Sequence, residues 1–459
     1  MGCVYTALVL FIWSDILKVL FVSLGCDKNL TNSEEMIGLL VEEGFVLTDD
    51  ETEADVIVIN TCAFIGDAKE ESINTIIEYG ELKQTGNLKA LIVAGCLAQR
   101  YCDEICKELP EVDAVIGTTA YDKIVYAIKE ALNGNKTKNL TDINKLVVTN
   151  FPRVLTNAGY YANLKIAEGC SKRCTYCIIP YLRGDYRSVP MEDLIKEAKR
   201  LADLGVKELT LIAQETTLYG TDIYGKKSLH ILLKKLCEID EIRMIRIMYM
   251  YPEEIYEELV ETIAANDKIC NYFDMPIQHC SDTVLKNMAR KTTKEELIKN
   301  ISYIRNKIPD AVLRTSLIAG FPGETKKEHK EMLDFIKEIK FDRLGCFTYS
   351  QEEGTVASTF ENQIDEETKE KWKDEIMRTQ QKIVFKKNKS LKGKVFKCIV
   401  DGKISDSNIY VGRTYMDAPE IDGSVFFECD ETLLSGNFAD VLITGFEEYD
   451  LVGKFLAKN

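Results

Sequence analysis

Short apolar runs alternate with amphipathic segments from residue 18 onward, and this alternation limits the possible fold more than any other feature. Four apolar runs are predicted as strands, at residues 18–24, 55–60, 89–94 and 112–117. A helix that opens at the capping-box sequence Thr31-Asn32-Ser33-Glu34 and ends near Gly44 separates the first two runs. A further helix is predicted over residues 122–132. Because strands that alternate with helices form a parallel sheet covered on both faces, the sequence predicts a doubly wound α/β domain.

Each of the first three runs is followed directly by a cysteine. Cys26, Cys62 and Cys96 stand in the strings SLGC, INTC and VAGC. In open α/β sheets, ligands bind beyond the carboxyl ends of the strands, where these thiols would converge. The alternative is three unrelated buried cysteines, since free cysteine is often buried. Convergence predicts a metal cluster with three protein ligands and one open iron. Cys102 and Cys106, close after Cys96, could compete with these cysteines as ligands of the cluster.

A second set of three cysteines has a tighter spacing. Cys170, Cys174 and Cys177 form a C-x3-C-x2-C triplet. Structural zinc closes its shell with four ligands, and electron-transfer clusters are usually held by four cysteines. Three thiolates would instead hold three irons of a [4Fe–4S] cluster and leave the fourth iron open. The triplet therefore predicts a reactive cluster that binds a substrate or cofactor.

The strand–helix alternation resumes beyond a polar stretch at residues 134–155, which is predicted as a linker. Six further strands share the pattern, at residues 164–168, 208–213, 244–248, 272–275, 313–319 and 343–347, with helices between them, for example at 191–204 and 327–339. This number of units indicates a partial or full β/α barrel, whose active site lies at the C-terminal mouth. The cysteine triplet follows the first of these strands and is therefore expected at that mouth.

The pattern changes again after a charged helical stretch at residues 366–389. Residues 394–443 contain short alternating strands separated by turns such as Asp401-Gly402 and Asp422-Gly423, which indicate a small β-barrel of OB-like type. Residues 388–459 carry 8 Lys and Arg against 12 Asp and Glu. Because a module that grasps RNA should be basic, this excess of acidic residues favours a basic protein partner.

Composition restricts the compartment and the kind of metal site. The chain has 15 cysteines and 3 histidines, so a metal site must consist mainly of thiolates, which select zinc, copper(I) or iron–sulfur. An odd number of scattered cysteines is not typical of a secreted disulfide framework and indicates a reducing cytoplasm. The net charge of −16 argues against bulk binding to nucleic acid.

The N-terminus precedes the first predicted strand. Residues 4–13 form an apolar run of about ten residues, where a membrane span needs roughly 20. No basic segment precedes the run, as it would in a signal peptide. We expect residues 1–16 to be an extension; a membrane anchor and a wrongly assigned start codon are the alternatives.

The string EGCSKRCTYC, at residues 168–177, resembles the signature of radical S-adenosylmethionine (SAM) proteins. A preceding three-cysteine α/β domain and a trailing TRAM-like β module make the chain similar to the radical SAM methylthiotransferases over residues 17–455. Several strings resemble the branch that modifies an aspartate of ribosomal protein uS12: GCDKN (25–29), RGDYRS (183–188), AQETTLYGTDIYG (213–225), YMYPEEI (249–255), DMPIQH (274–279), YSQEEGT (349–355), DAPEIDG (417–423) and ITGFEEYDLVG (443–453).

This resemblance implies a division of the chain and its cofactors. It implies a methylthiotransferase domain at 17–133, a radical SAM core at 156–386 and a TRAM domain at 388–455. Two [4Fe–4S] clusters are implied, one held by Cys170, Cys174 and Cys177 and an auxiliary one held by Cys26, Cys62 and Cys96. The resemblance also implies SAM contacts for Tyr176, for Gly320 and Gly323 of the string GFPGE, and for Gln214 and Gln278 at strand ends. Alternatively, Tyr176 is an aromatic residue of the core and the two glycines belong to a turn without a ligand. The two glutamines could equally form hydrogen bonds to the backbone of loops.

The resemblance further implies a reaction and partners. Cleavage of one SAM would give a 5′-deoxyadenosyl radical that takes hydrogen from the β-carbon of the aspartate, and a second SAM would supply the methyl group. The expected partners are uS12 on the ribosome and a low-potential electron donor such as flavodoxin or ferredoxin. No membrane partner is expected, and contact with RNA would be secondary.

Two other functions stay open at this point. A tRNA adenosine methylthiotransferase of the same family would have the same clusters and would be distinguished by its substrate and by a basic groove on the last module. A non-catalytic iron–sulfur protein would have fully ligated clusters and would not cleave SAM. The presence of two sets of three cysteines argues against the second of these.

Overall fold

The computed structural model describes residues 17–457, so the extension expected at residues 1–16 lies outside the described residues. The described chain divides into two compact units. The first consists mainly of residues up to 142, with 151–154, and the second mainly of residues from 155 onward, with 64–66 and 143–150. None of the helices within residues 17–457 is long and apolar enough to cross a membrane.

A six-stranded parallel sheet with the strand order β2-β1-β3-β4-β5-β6 forms the first unit. Its strands are β1 (Lys18–Ser23), β2 (Val46–Leu47), β3 (Val56–Thr61), β4 (Ala90–Gly95), β5 (Ala114–Ile116) and β6 (Thr137–Asn139). Its helices are α1 (Asp27–Glu42), α2 (Gly66–Thr85), α3 (Cys96–Arg100), α4 (Cys102–Glu108) and α5 (Ile124–Leu132), with a 3-10 turn at Tyr121–Lys123. The central strands β3 and β4 are buried along their whole length, which confirms the predicted α/β domain.

The structure corrects the predicted start of the first helix. Helix α1 begins at Asp27, four residues before the predicted capping box. The Thr31 hydroxyl donates to the Asp27 carbonyl (2.9 Å), one turn back in the same helix, and is therefore not available as a cap. The two edge strands β2 and β6 were not predicted from the sequence, and β6 lies inside the stretch predicted as a linker.

Six parallel strands form a partial barrel in the second unit, as predicted, but the first of them starts at Tyr161, and the end of the predicted strand 164–168 belongs to a small hairpin. The ladders β11-β10-β7 and β12-β13-β14 are joined by a bridge between Ile245 and Ile269. The strands are β7 (Tyr161–Lys165), β10 (Glu208–Ile212), β11 (Met244–Ile247), β12 (Tyr272–Asp274), β13 (Val312–Ala319) and β14 (Arg343–Thr348), and a small hairpin pairs β8 (Ala167–Glu168) with β9 (Arg187–Ser188).

Helices surround these strands. They are α6 (Ile179–Arg183), α7 (Met191–Asp203), α8 (Leu229–Cys237), α9 (Glu257–Ala264), α10 (Asp282–Asn287), α11 (Lys294–Lys307), α12 (Lys326–Ile339) and α13 (Glu366–Leu391), with 3-10 turns at Pro252–Glu254 and Ala357–Thr359. Apolar faces of these helices and strands pack into one continuous core, which includes Leu211, Leu232 and Phe335.

A closed five-stranded barrel follows α13. Its strands are β15 (Val395–Lys403), β16 (Ile409–Arg413), β17 (Val425–Glu428), β18 (Phe438–Glu447) and β19 (Asp450–Phe455). The order β15-β16-β17-β19-β18 has one parallel pair, β17 with β19, and is otherwise antiparallel. This small closed barrel agrees with the predicted OB-like module.

The small barrel docks onto the starts of the partial-barrel strands. Glu208, the first residue of β10, is fully buried and binds both Arg413 of β16 (2.8 Å) and Arg246 of β11 (3.1 Å). At the start of β12, the Tyr272 hydroxyl donates to Asp422 (2.5 Å). Arg343, which opens β14, pairs with Asp417. The docked end is thus opposite the C-terminal mouth of the partial barrel.

Docking uses much of the module's acidic charge. Four of its acidic side chains bond to the partial barrel, namely Asp401, Asp417, Glu420 and Asp422. Without these and Arg413, residues 388–459 carry eight acidic and seven basic side chains. The acidic excess counted in the sequence therefore serves mainly to hold the chain together and says little about the substrate.

Replacing Arg413 by methionine is expected to destabilise the second unit by about 3–5 kcal/mol, because it leaves part of the Glu208 charge buried without its partner. The matched control is Lys454→Met, which removes a pair with Glu428 whose side chains are 61% and 54% exposed. The control should cost less than about 1 kcal/mol. Chemical denaturation of both variants measures the difference, and equal losses would show that the buried pair does not hold the module.

Candidate active site

The first set of cysteines lies at one edge of the parallel sheet. Cys26 directly precedes α1, Cys62 directly follows β3, and Cys96 opens α3. The strands β1, β3 and β4 that lead to them are neighbours in the sheet. Because parallel strands end at the same edge, the three positions lie at one edge of the sheet, and their role as cluster ligands stays a prediction.

The Asn29 side chain connects the loops that carry these cysteines. Its amide nitrogen donates to the carbonyls of Leu24 (3.0 Å) and Thr61 (2.9 Å), and its oxygen lies 3.9 Å from the Cys96 sulfur. The backbone at Gly25, with φ of +92°, comes so close to Cys62 that a Cβ there would lie 2.8 Å from the Cys62 Cβ. The sequence pattern predicts the cysteines but not Asn29, which belongs to the string GCDKN without being singled out by it.

Cys102 and Cys106 have other neighbours. Burial raises the pKa of the Cys102 thiol to about 11, and its charged surroundings are Cys106, Lys138 and Asp103, which belong to α4 and β6. These elements lie at the side of the sheet where β6 forms the edge. We therefore keep Cys26, Cys62 and Cys96 as the predicted ligands.

The second set of cysteines lies on a loop that follows β8 at the mouth of the partial barrel. The Cys170 amide donates to the Gly184 carbonyl (3.0 Å), and the Cys177 amide donates to the Cys174 carbonyl (3.0 Å). Gly169, with φ of +79°, passes so close to the Asp185 carbonyl that an added Cβ would lie 2.1 Å from its oxygen. The spacing of the triplet therefore corresponds to one tightly turned loop.

Thr175, in the middle of this loop, anchors it to two other parts of the barrel. Its amide donates to the Met288 carbonyl (3.1 Å), and its hydroxyl donates to the Asn287 carbonyl (2.8 Å). The Thr175 carbonyl accepts from the amide of Ala357 (2.8 Å). These bonds hold the three thiols at a defined place in the mouth.

Each donor set consists of three free thiols, the kind of ligand that iron–sulfur clusters take. Within residues 17–457, no group of three or more His, Cys, Asp or Glu side chains surrounds one metal-ion position. Each cysteine of a [4Fe–4S] cluster binds a different iron, so its three ligands lie farther apart than ligands of one ion. Burial raises the pKa of Cys170 to about 11, and ligation to iron would stabilise the thiolate that burial disfavours.

Several buried polar atoms at the mouth have no hydrogen-bond partner among the described residues. They are Gln214 Oε1, Glu215 Oε2, and Nε and Nη1 of Arg290. Burial raises the pKa of the Glu215 carboxyl to about 7. Unpaired buried groups of both polarities fit a zwitterionic ligand, and the amino and carboxylate groups of SAM supply both charges. Glu215 and Arg290 were not found from the sequence.

The two predicted glutamines have different local roles. The Gln214 amide nitrogen donates to Glu168 Oε1 (2.9 Å), a carboxylate that also pairs with Arg183 (3.1 Å). Gln278 has φ of +67° and bridges to β13 through its backbone, at Leu317. Both lie beyond strand ends, and their contact with SAM stays a prediction.

Tyr176 packs against the GFPGE loop. Its ring lies edge-on to Phe321 with centroids 6.5 Å apart. The Glu324 carboxylate accepts from the amides of Gly320 (2.7 Å) and Phe321 (3.2 Å) and lies 3.4 Å from His279 Nε2. The predicted SAM residues Tyr176 and Gly320 thus belong to neighbouring segments. The buried Glu324 side chain stabilises the turn through its bonds to the backbone amides.

Comparison with known families divides the chain in the same way. Residues 18–117 match Uncharacterized protein family UPF0004, residues 164–336 match the radical SAM superfamily, and residues 393–456 match the TRAM domain. The three matched segments correspond to the six-stranded sheet, the partial barrel and the small closed barrel. The predicted three-part architecture is confirmed.

Solved structures with low sequence identity share the fold. The radical SAM methyltransferase TsrM from Kitasatospora setae has a TM-score of 0.53 at 13% identity, covering 72% of each chain. The cobalamin-dependent SAM radical enzyme OxsB has a TM-score of 0.52 at 14% identity, covering 79% of this chain and 56% of that chain.

Named relatives match nearly the whole chain. The ribosomal protein uS12 methylthiotransferase RimO of Lachnoclostridium phytofermentans is 55% identical over 95% of this chain and 99% of its own. The proteins of the same name from Clostridioides difficile and Acetivibrio thermocellus are 52% and 50% identical, each over 96% of this chain and 99% and 98% of their own. The chain therefore belongs to the RimO family of ribosomal protein uS12 methylthiotransferases.

Proposed function

We propose that this chain is a radical SAM methylthiotransferase that adds a methylthio group to the β-carbon of an aspartate in ribosomal protein uS12, using two SAM per turnover. The observation that carries the proposal is the pair of three-cysteine sets, each beyond the ends of parallel strands, in a chain similar to RimO proteins over 95% of its length. The tRNA adenosine methylthiotransferase is the less favoured alternative, because the full-length relatives are named for uS12.

The enzyme uses two [4Fe–4S] clusters and SAM. In our proposal Cys170, Cys174 and Cys177 hold the radical SAM cluster, and Cys26, Cys62 and Cys96 hold the auxiliary cluster. When bound, these groups supply the electron that cleaves SAM and the sulfur that is transferred. The domain boundaries at 17–133, 156–386 and 388–455, with a linker at 134–155, are part of the same proposal.

The protein's own contribution is binding, orientation and exclusion of water. Tyr176, Gly320 and Gly323 would line the SAM site, with Gln214 and Gln278 as further contacts. Buried Gln214 and Glu215 atoms without partners would be satisfied by the ligand's polar groups. Removal of hydrogen from an unactivated carbon needs no general base.

The histidines are consistent with a reaction that does not depend on acid–base catalysis. His230 Nδ1 lies 3.1 Å from the Tyr256 hydroxyl, and His329 Nε2 lies 2.8 Å from Glu375. His279 Nδ1 accepts from the Ser281 amide (2.9 Å). Each of the chain's three histidines therefore has a structural partner.

The two glycines of the GFPGE loop provide a matched test of the SAM site. Both have positive φ, but an added Cβ at Gly320 would lie 2.3 Å from Lys369 Cγ, whereas at Gly323 the nearest atom is 3.9 Å away. Gly323→Ala should lower the free energy of unfolding by the backbone strain of about 1–2 kcal/mol. Its SAM affinity should change little, because the added methyl group meets no nearby protein atom. Gly320→Ala should weaken SAM binding by at least tenfold, because the loop must move to make room. Equilibrium dialysis with SAM measures both, and equal affinities would exclude Gly320 from the site.

The remaining partners and the compartment belong to the proposal. A low-potential donor such as flavodoxin or ferredoxin would reduce the clusters, and the reducing cytoplasm would keep the many free thiols of the chain reduced. Contact with RNA through Lys389–Lys397 on the last module would be secondary to contact with uS12.

Isotope labelling tests the site of attack. uS12 carrying aspartate deuterated at the β-carbon is offered to the reconstituted enzyme with SAM and a reductant. Deuterium should appear in the 5′-deoxyadenosine product in proportion to the methylthiolated uS12 formed. Methylthiolation without deuterium transfer would contradict attack at the β-carbon.

A further inference from the structure

Arg290 carries a buried charge at the mouth of the partial barrel. Its side chain is only 1% exposed. Its Nη2 donates to Glu253 (3.1 Å) and to the Pro276 carbonyl (3.2 Å), while Nε and Nη1 have no partner among the described residues. A buried guanidinium with two unpartnered nitrogens, which carry three N–H groups, is costly unless an anionic acceptor is present.

The Tyr251 side chain connects this charge to the cysteine triplet. The Arg290 guanidinium stacks over the Tyr251 ring, with its carbon 4.2 Å from the ring centroid. The hydroxyl of the same ring lies 3.8 Å from the Cys174 sulfur. The loop anchor Thr175 binds the carbonyls of Asn287 and Met288, which are three and two positions before Arg290 in the chain. One backbone bond and one side-chain bond thus hold the cysteine loop against the segment that leads to Arg290.

Electrostatics agrees with this placement. Burial acts to lower the pKa of Arg290 and the Glu253 carboxylate acts to raise it, and an arginine guanidinium stays charged in proteins. Glu253 balances part of this charge from the side of Nη2. The unpaired Nε and Nη1 remain for a second anionic group.

Fixed charge and hydrogen bonds at the sulfurs are two of the means by which proteins set the potential of an iron–sulfur cluster. A nearby positive charge and N–H donors stabilise the reduced, more negative state. We propose that Arg290 raises the reduction potential of the cluster held by Cys170, Cys174 and Cys177, by placing a buried positive charge behind the Tyr251 ring that touches Cys174. This inference rests on the proposed cluster ligands.

The test is a redox titration followed by electron paramagnetic resonance. The full chain carries Cys26→Ala, Cys62→Ala and Cys96→Ala, so that the signal comes from one cluster. Adding Arg290→Met should lower the ratio of reduced to oxidised cluster at least tenfold at a fixed potential, which is about 59 mV for one electron. The matched control is Arg173→Gln, which removes a positive charge from the cysteine loop itself. The Arg173 side chain is 58% exposed. Solvent screens that charge, so the ratio should not change.

A merely structural role for Arg290 would lower iron content or stability without moving the potential. An Arg290→Met variant that keeps its iron and titrates like its parent would overturn the proposal. If that variant loses its cluster, the potential is measured in the double variant Arg290→Met with Glu253→Gln. The double variant has no buried carboxylate that lacks a partner and is therefore more stable. A parental potential in the double variant, or loss of the cluster from both variants, would equally overturn it. A parent without any reducible cluster would instead refute the ligand assignment.

Discussion

Alanine in place of Cys174 is expected to abolish SAM cleavage and to remove roughly half of the bound iron. Two thiolates would remain for a cluster that has three protein ligands, and Thr175 would still anchor the loop. The measurement is 5′-deoxyadenosine formed per chain under anaerobic conditions with a strong reductant, together with iron analysis. The expected product yield is below detection.

The matched control for this variant is Cys346→Ala. Cys346 is a buried thiol of β14 in the same barrel core, 8% exposed, and is not a predicted ligand. The Cys346→Ala variant should keep both its iron and its SAM cleavage. A loss of activity in Cys174→Ala then cannot be explained by the removal of just any buried thiol. Retained 5′-deoxyadenosine production in Cys174→Ala would end the radical SAM interpretation of the triplet.

Simultaneous replacement of Cys26, Cys62 and Cys96 by alanine should abolish sulfur transfer and leave SAM cleavage intact. The variant is expected to cleave SAM at a rate within about twofold of the parent, because the cysteine triplet is untouched, and to transfer no sulfur. Its iron content should fall by roughly half. Mass spectrometry of uS12 and quantification of 5′-deoxyadenosine from the same reaction measure both properties.

Cys102→Ala with Cys106→Ala is the control for this experiment, since both residues belong to the same domain. Iron and methylthio transfer should be retained, because the neighbours of Cys102 are on α4 and β6. Iron content equal to the parent in the Cys26, Cys62, Cys96 variant would mean that these residues hold no cluster. Loss of iron in the Cys102, Cys106 variant would identify additional ligands.

Local patterns in the sequence were sufficient to predict the order of domains and the position of the six cysteines. Buried parallel strands are continuous apolar runs, as in β3 and β4, so their ends can be located to within a residue or two. Cysteines that follow such runs are placed at one edge by the topology of the sheet alone. The motif resemblance then added the chemistry.

Edge strands and helix starts were predicted less well. The strand β2 has only two residues, both exposed, and β6 has three residues, none of them buried, so neither has an apolar run. Helix α1 starts at Asp27 because Cys26 has extended backbone angles and ends the preceding loop. The capping-box sequence at Thr31 lies inside the helix, where nothing in its local pattern distinguishes it from a true start.

Contacts between distant residues could not be predicted from local patterns. Glu208 and Arg413 are 205 positions apart in the chain and form a buried pair. Without that contact, the acidic residues of the last module looked like a surface for a basic partner. Arg290 was likewise one charged residue among many until its burial and its unpaired N–H groups became visible.

The central claim is best tested by offering two substrates in parallel. Reconstituted enzyme, SAM and a reductant are incubated without oxygen with uS12 in one tube and with unmodified tRNA in another, and both products are analysed by mass spectrometry. Our account predicts a methylthio mass gain on an aspartate-containing peptide of uS12 and none on the tRNA. A gain on a tRNA adenosine, with uS12 unchanged, would contradict the substrate assignment while leaving the cluster assignment intact.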